Sequence, residues 1–287
     1  MVEATSNYSA PETVEEAARL LAAGSVTLLA GGTDLMPQSR AGRVKIAPAL
    51  LSVRRIGAMH GVSEANGGLR IGAATTLAAL ARDPLARAQL PLLLESIDHF
   101  ASAQIRNTAT VGGNICNASP AGDTIVPLLA LGASVELAAY RAGALATRAV
   151  ALEDFFTGPG RTVRAPDELL VAVSVPGPGP GAFGRFHKFG TRPALDISAI
   201  SIAIAGTLGE GIVRGVRVAF GAVGPTPLRG RATEAALEGR ALDAATIDAA
   251  ARAAREEVHP ISDVRASQWY RAEMVENMTR RLLKDVG

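Results

Sequence analysis

The stretch Thr110–Asp123, TVGGNICNASPAGD, sets two adjacent glycines, two asparagines and an aspartate in front of the apolar run IVPLLALGA. A second stretch, Leu28–Leu35 with the sequence LLAGGTDL, has the same Gly-Gly-polar arrangement earlier in the chain. Consecutive backbone N–H groups in a glycine turn form a concave nest that accepts anionic oxygens. Each stretch follows an apolar, strand-like segment. We therefore predict that the two stretches are halves of one site for an anionic ligand such as a diphosphate.

The two stretches offer the same kinds of group. Their glycines permit close approach of the backbone to a ligand, and their side chains add hydroxyl and amide partners. The residues concerned are Gly31, Gly32 and Thr33 in the first stretch and Thr110, Gly112, Gly113 and Asn114 in the second. Either stretch alone would be explained by an ordinary turn, so the prediction depends on the pair. The run IVPLLALGA is expected to be the buried segment that anchors the second stretch.

Composition and charge exclude several classes of protein. Of the 287 residues, 48% are hydrophobic and 20% are charged, which is the usual balance of a globular chain. Lys and Arg number 29 against 27 Asp and Glu, and no long run of either sign favours nucleic acid. The longest apolar stretches, such as 125–139, are too short to span a bilayer, and no secretory signal pattern precedes them. We therefore expect a cytoplasmic protein.

Metal sites and nucleophilic catalysis have little support. The one cysteine, Cys116, excludes an intramolecular disulfide and any cysteine-ligated iron–sulfur cluster or zinc site built from this chain alone. The four histidines, His60, His99, His187 and His259, lack metal-ligand spacing, and no G-x-S-x-G elbow is present. We expect no metal and no catalytic residue in this chain, and a packing role for Cys116.

Capping signals divide the first part of the chain into short elements. Thr13–Glu16 is typical of a capping box and opens the predicted helix VEEAARLLAA, which Gly24 ends before the strand-like VTLLA. Alternation in GLRIGAAT predicts a strand, after which Thr76 begins a short helix. Asp83 before proline predicts the start of one helix over 85–97.

A Pro/Gly-rich cluster, Pro176–Gly184, separates this part from a last part with a different pattern. Beyond it, ISIAIAG and GVRVAFGAVG alternate apolar residues and predict half-buried antiparallel strands. Two helices are predicted over 245–258 and 267–286. The second carries a stripe expected to pack in the core, formed by Tyr270, Met274, Met278 and Leu282.

Two nucleotide-binding patterns are absent or misleading. Gly179–Gly184 matches G-x-G-x-x-G, but the following GRFHKFGT alternates like a strand, whereas the dinucleotide motif must open a helix. Pro178 and Pro180 also remove two backbone donors. No Walker-type phosphate loop exists.

Four segments together carry a resemblance to a known family. They are LLAGGTDL, FASAQIRNTATVGGNICNASPAGDTIVPLLALGA, EDFFTGPGRTVRAPDELLVAVSVP and HKFGTRPALDIS, and a closing S-x-W-Y-R with RRLL completes the pattern. They resemble the FAD-binding medium subunit of the molybdenum hydroxylases, the group containing carbon monoxide dehydrogenase, xanthine dehydrogenase and 4-hydroxybenzoyl-CoA reductase. The similarity covers essentially the whole chain.

The resemblance implies an α+β fold with two parts. The first is a FAD-binding domain of the vanillyl-alcohol oxidase type at 1–176, with subdomains at about 1–55 and 56–176. The second is a C-terminal antiparallel sheet with helices at 177–287. The cofactor is expected to be non-covalent FAD, because no cysteine or histidine lies in a recognisable flavin-attachment motif.

The resemblance also implies which residues contact FAD. Those expected to cradle the diphosphate are Leu29, Ala30, Gly31, Gly32, Thr33, Asp34, Leu35, Thr110, Val111, Gly112, Gly113 and Asn114. Phe100 and Asp123 match further cofactor contacts, and Leu170 and Lys188 match contacts near the ring system. A fixed cation at Lys188 could stabilise the anionic reduced flavin electrostatically.

The implied function is electron transfer within an assembly. In this family, a large subunit carries the molybdenum cofactor and a small subunit carries two [2Fe–2S] clusters, from which electrons pass to the FAD and then to an external acceptor. The resemblance implies a dimer of heterotrimers, and the single cysteine fits clusters held by partners. The chain lacks the cysteine-rich insertion of the 4-hydroxybenzoyl-CoA reductases, which favours an oxidative dehydrogenase.

Two other interpretations stay open on the sequence. A self-contained flavin oxidase would turn over substrate as a single chain, but 287 residues barely accommodate a further substrate domain. A non-redox scaffold would keep the fold without flavin, against which the intact Thr33, Asn114, Asp123 and Lys188 argue. The FAD content of the purified protein distinguishes the oxidase, which holds flavin, from the scaffold, which does not.

Overall fold

A small parallel sheet with two helices forms the start of the chain in the computed structural model, which describes residues 7–192 and 195–286. In chain order its elements are β1 (Asn7–Ser9), α1 (Val14–Ala22), β2 (Val26–Leu29), α2 (Leu35–Arg40) and β3 (Ala49–Ser52). β3 lies in the middle and pairs in parallel with β1 and β2. The first glycine-containing stretch therefore leaves the carboxyl end of a parallel strand, where open α/β sheets bind ligands.

The middle part of the chain is a five-stranded antiparallel sheet covered by short helices. Its first elements are β4 (Val62–Ala65), β5 (Gly68–Gly72), α3 (Leu77–Arg82), α4 (Pro84–Gln89), α5 (Pro91–Asp98), α6 (Ala103–Arg106), α7 (Val111–Asn117) and α8 (Ile125–Ala130). They are followed by β6 (Ser134–Arg141), β7 (Ala144–Ala151), β8 (Phe156–Gly158), β9 (Arg161–Thr162) and β10 (Leu169–Pro176). The sheet order is β4-β5-β10-β6-β7, while β8 and β9 form a separate hairpin. Two 3₁₀ turns lie at Gly57–Met59 and Leu152–Asp154.

The last part is a four-stranded antiparallel sheet with three helices. Its elements are β11 (Ala182–Phe189), β12 (Ile200–Gly209), β13 (Ile212–Gly221), β14 (Leu228–Arg229), α9 (Arg231–Leu237), α10 (Ala244–Glu257) and α11 (Gln268–Lys284). The strands pair in sequence order. β11 begins within the Gly179–Gly184 pattern, which confirms that this pattern opens a strand and not a helix. The predicted α+β class is confirmed.

Local capping signals place several helix starts correctly. The Thr13 hydroxyl accepts from the Glu16 N–H at 3.1 Å, as a capping box requires, although the Glu16 carboxylate accepts from the Glu12 N–H and not from Thr13. Thr76 and Asp83 cap α3 and α4 in the same way. These interactions satisfy helix N–H groups that have no partner within the helix.

The single helix predicted over 85–97 is wrong. α4 ends at Gln89, and α5 begins at Pro91 with a change of direction at Leu90. Proline has no N–H to donate to the preceding turn, so Pro91 takes the first position of a new helix.

β12 is buried on both faces, so the prediction that it is half-buried is wrong. Its Ile200, Ile202 and Ile204 pack with the helices of the last part, whereas Ala203 and Ala205 belong to the core of the middle part. These small side chains leave room for α8, which packs against both β12 and β13. One strand thus serves two hydrophobic cores.

The buried face of α11 is rotated from the predicted stripe. Met278 and Leu282 are buried and Met274 is partly buried, but Tyr270 is 36% exposed. Val275 and Leu283 complete the face that packs in the core. Among the residues that the structure describes, no helix is long and apolar enough to cross a membrane.

A cleft between two glycine-containing segments

A cleft of about 1200 Å³ lies where the first sheet meets the middle part of the chain. Residues from both glycine-containing stretches line it, together with residues from the loop before α6 and from the start of β10. The predicted site residues that line the cleft are Ala30, Gly31, Gly32, Thr33, Asp34, Leu35, Phe100, Thr110, Gly112, Gly113, Asn114, Asp123 and Leu170. The two stretches therefore share one cavity.

The backbones of the two segments touch at Gly31. A Cβ atom added at Gly31 would lie 2.1 Å from the Thr108 carbonyl oxygen and 3.1 Å from the Ala109 Cα. Only glycine permits this approach, because the neighbouring atoms belong to backbone and cannot rotate away. The contact places the first segment directly beside the residues that lead into α7.

The first segment carries a run of unused donors. Within the described part of the chain, the backbone N–H groups of residues 31–35 have no hydrogen-bond acceptor. Gly32 has φ +68°, a left-handed conformation that glycine adopts without strain. The Asp34 carboxylate accepts from the Gln38 amide. Five adjacent N–H groups at a cleft wall form the kind of nest that binds phosphate oxygens.

The second segment is the start of a helix and not the predicted glycine turn. The Thr110 hydroxyl accepts from the Gly113 N–H at 3.0 Å and so caps α7. The Gly112 N–H donates to the Ala73 carbonyl at 2.9 Å, and a Cβ at Gly112 would lie 2.7 Å from the Ala73 Cβ. Because these donors are used within the protein, this segment is a close-packed wall of the cleft and not a second nest.

Asn114 is fixed by a neighbour from the following segment. Its side-chain oxygen accepts from the Thr124 hydroxyl at 2.7 Å, which leaves the amide nitrogen as the available donor at the cleft. Thr124 is fully buried and directly precedes α8, all six residues of which are buried. The predicted burial of the IVPLLALGA run is confirmed for Ile125–Ala130.

Asp123 and Lys188 form a buried ion pair. The Lys188 Nζ lies 2.6 Å from Asp123 Oδ2, with side chains only 6% and 10% exposed, and it also donates to the His99 carbonyl at 3.1 Å. The Ser198 hydroxyl donates to the other Asp123 oxygen at 3.0 Å. Burial raises the pKa of the Asp123 carboxyl, although the Lys188 ammonium and the Ser198 hydroxyl oppose that rise. The pair ties the cleft wall to β11.

Three predicted site residues do not line the cleft. Leu29 ends β2, where its carbonyl accepts from the Val53 N–H. Val111 is fully buried in the core of the middle part. Lys188 lies behind Asp123, and its charge is already paired. These residues support the wall.

Sequence reasoning missed several polar residues of the site, and besides Arg164 the cleft is lined by Thr27, Gln38, Ser102, Asn117, Ser119 and Asp196. Arg164 lines the cleft and Ser198 binds Asp123. Ser198 stands in the quoted HKFGTRPALDIS segment, but its pairing spans 75 residues of sequence and no local pattern reveals it. Arg164 stands in the third quoted segment, where it looks like any other surface arginine.

The fold and this cleft define a flavin-binding subunit of an oxidoreductase, as comparison with known proteins shows. Residues 3–178 match the family described as FAD binding domain in molybdopterin dehydrogenase, and residues 185–286 match the CO dehydrogenase flavoprotein C-terminal domain. The chain therefore belongs to the family of FAD-binding subunits of the molybdenum hydroxylases, and the predicted resemblance is confirmed.

Relatives align along almost the whole chain. The putative xanthine dehydrogenase FAD-binding subunit of Escherichia coli is 34% identical over 282 residues, which cover 97% of this chain and 95% of the relative. The carbon monoxide dehydrogenase medium chain of Hydrogenophaga pseudoflava is 31% identical over 285 residues, with 99% and 97% covered. The solved structure of carbon monoxide dehydrogenase from Hydrogenophaga pseudoflava has a TM-score of 0.93 at 31% identity, covering 99% of this chain and 98% of that one. Quinoline 2-oxidoreductase from Pseudomonas putida 86 gives 0.89 at 27% identity, with 98% and 96% covered.

Proposed function

We propose that this chain holds FAD non-covalently in the cleft and passes electrons from the [2Fe–2S] clusters of a partner subunit to an external acceptor. The observation that carries the proposal is the run of unused N–H groups at 31–35 on a cleft that both glycine-containing segments line. A cleft of about 1200 Å³ exceeds the usual ~300–1000 Å³ of small-ligand pockets and suits a long dinucleotide. Bound FAD would supply the redox chemistry, which no protein side chain provides.

The nest at 31–35 would hold the diphosphate, because phosphate oxygens pair well with adjacent backbone N–H groups. Gly112 and Gly113 would keep the opposite wall close, and the Asn114 amide would donate to the ligand. Phe100 and Leu170 supply apolar surface for an aromatic ring. Lys188 would act through Asp123, holding the carboxylate and the loop before Phe100 in place.

Non-covalent binding follows from the side chains available. Within the described residues, no histidine lines the cleft, and Cys116 is the only thiol of the chain. Burial raises the pKa of Cys116 to about 11, so the thiol is a poor nucleophile at neutral pH.

The partners would be a small [2Fe–2S] subunit and a large molybdenum-cofactor subunit, in a dimer of heterotrimers in the cytoplasm. The single cysteine supports clusters held by another chain. The relatives named medium chain or FAD-binding subunit support a subunit role. We further propose a FAD-binding domain at 1–176, with subdomains at about 1–55 and 56–176, and a C-terminal domain at 177–287.

The test is to express the chain with its neighbouring reading frames, isolate the complex, and measure FAD released by acid together with iron and molybdenum. We expect about one FAD per chain, with iron and molybdenum following the partners. Gly32→Val should lose FAD, because Gly32 has a positive φ within the nest. The matched control is Gly67→Val, because Gly67 also has a positive φ, +73°, but lies in the turn between β4 and β5 with open space around it. This variant should keep FAD.

A chain that is stable but colourless in excess FAD would overturn the proposal in favour of a scaffold. A chain that binds FAD and oxidises substrate without partners would overturn it in favour of a self-contained oxidase.

A further inference from the structure

Thr124 stands at the start of α8 but does not cap that helix. Within α8, which the structure describes in full, the Thr124 side chain accepts from no N–H group, although threonine at this position ordinarily does so. The threonines at the starts of α1, α3 and α7 all cap their helices, namely Thr13, Thr76 and Thr110. The Thr124 hydroxyl instead donates to Asn114 Oδ1 at 2.7 Å. This hydroxyl therefore serves Asn114 and not its own helix.

The position of the Thr124 hydroxyl is fixed from both sides. Thr124 is fully buried, and its carbonyl accepts from the Leu128 N–H at 3.3 Å within α8. The preceding residue, Asp123, is held by Lys188 at 2.6 Å and by the Ser198 hydroxyl at 3.0 Å. A buried helix on one side and side chains of the last part of the chain on the other thus hold the donor in place.

Asn114 has a fixed backbone and a side chain that lines the cleft. Its N–H donates to the Thr110 carbonyl at 3.0 Å within α7. An asparagine amide ends in an oxygen that accepts and a nitrogen that donates, and the two groups are similar in size. Either could turn toward the cleft in the absence of a partner. Because Thr124 holds the oxygen, the nitrogen is left for a ligand.

The surroundings of Asn114 suit a ligand with oxygen acceptors. A Cβ added at Gly113 would lie 3.9 Å from the Ala30 Cβ, so the residue before Asn114 adjoins the segment that carries the nest. Within the described part of the chain, the five N–H groups of residues 31–35 have no acceptor. The Asn114 nitrogen adds a further donor to this wall. An amide turned the other way would instead present an oxygen that repels the oxygens of the ligand.

We infer that Thr124 is a positioning residue for the cofactor, which acts by turning the Asn114 amide so that its nitrogen donates to an oxygen of bound FAD. The inference rests on the proposed function. Thr124 is buried and does not itself line the cleft, so its effect on the ligand passes through Asn114. A side chain already held in its binding orientation loses little freedom when the ligand arrives, which strengthens binding.

The experiment measures the affinity for FAD of the full complex from which FAD has been removed, by fluorescence titration. Thr124→Val removes the hydroxyl and keeps the shape, whereas Thr124→Ser keeps the hydroxyl. Each is made alone and together with Asn114→Ala. Thr279→Val is the matched control, because Thr279 of α11 is also fully buried and its hydroxyl has no hydrogen-bond partner within the described residues.

Thr124→Val should weaken FAD binding about fivefold, which is within the range for one hydrogen bond. Thr124→Ser and Thr279→Val should stay within about twofold of the unmodified complex. When Asn114→Ala is already present, Thr124→Val should change the affinity by less than about twofold, because the side chain through which it acts is gone.

Asn114→Asp tests the same orientation with Thr124 intact, and so gives an answer even if Thr124→Val does not fold. The new carboxylate still accepts from the Thr124 hydroxyl, but it offers a second oxygen to the cleft where the amide offered a donor. FAD should therefore bind more weakly to Asn114→Asp than to Asn114→Ala.

Four results would overturn the inference. Thr124→Val could bind FAD as the unmodified complex does, or Thr124→Ser could lose as much affinity as Thr124→Val. The loss from Thr124→Val could persist in full beside Asn114→Ala, which would assign Thr124 to general support of the cleft wall. Asn114→Asp could bind FAD at least as tightly as Asn114→Ala, which would show that the amide oxygen faces the ligand.

Failure of the proposed function gives a different result. An unmodified complex that contains iron and molybdenum but neither holds nor takes up FAD would remove the proposed function, and this inference with it.

Discussion

The contact between Gly31 and the segment before α7 makes Gly31→Ala a sharp test of the cleft. The added Cβ would lie 2.1 Å from the Thr108 carbonyl oxygen, which is 0.9 Å below the 3.0 Å limit that Cβ atoms observe. Every nearby atom is backbone, so relief requires the two segments to separate. Overpacking costs about 1–3 kcal/mol, and we expect about 3 kcal/mol here because no side chain can move aside.

That cost predicts two measurable changes. At about 2–4 °C per kcal/mol, the melting temperature should fall by roughly 6–12 °C in a circular dichroism melt. Displacement of the nest should weaken FAD binding at least about tenfold, or about 1.4 kcal/mol, in a fluorescence titration.

The matched control is Gly57→Ala, where nothing lies within 4 Å of the added Cβ and φ is not positive. It should change stability by less than about 0.5 kcal/mol. If Gly31→Ala melted within about 2 °C of the unmodified chain and bound FAD within about twofold, the argument from close approach would be refuted.

Three further perturbations test single interactions. Lys188→Met leaves Asp123 buried without its cation and should cost about 3–5 kcal/mol at neutral pH. Because the pKa of Asp123 then rises further above its unfolded value, the folded state holds a proton that the unfolded state has lost, and the loss of stability grows as pH rises. Urea unfolding should therefore show a smaller loss at about pH 4, near the ordinary pKa of an aspartate, than at neutral pH, and equal losses would contradict the assignment. Thr110→Val removes the hydroxyl that accepts from the Gly113 N–H and should cost about 1 kcal/mol in urea unfolding, whereas Thr110→Ser should restore most of it; no difference between the two would count against the cap. Cys116, with a pKa of about 11, is ionised to only roughly one part in a thousand at pH 8, so alkylation should be far slower than for a free thiol. Reaction at the free-thiol rate would show that the pKa is not raised.

Local signals in the sequence predict much of the fold. Thr13, Thr76 and Asp83 begin helices because each cap needs only an oxygen near the N–H groups two or three residues on. Alternating apolar residues predict β5 and β13 for a similar reason, since a strand presents every second side chain to one face. Both kinds of signal act over a few residues.

What the sequence could not predict depends on distant partners. α7 has glycines at its second and third positions, which disfavour a helix, and it forms because the Val111 and Gly112 N–H groups are bonded to residues after β5. β12 is buried on its second face because α8 packs there. The Glu168 carboxylate, which accepts from the Ala165 N–H, is held by Arg148, 20 residues away in sequence.

The two-faced burial of β12 bears on how the chain can be divided for study. Ala203 and Ala205 complete the same core as Leu128 of α8, while Ile202 and Ile204 complete the other. A fragment ending at Pro176 would leave the apolar side of α8 in water, and a fragment beginning there would expose the alanine face of its sheet. The backbone thus passes from the middle part to the last part of the chain at the Pro/Gly-rich cluster, but fragments divided there would each expose apolar surface. Chimaeras with relatives would have to exchange α8 together with the sheet it supports.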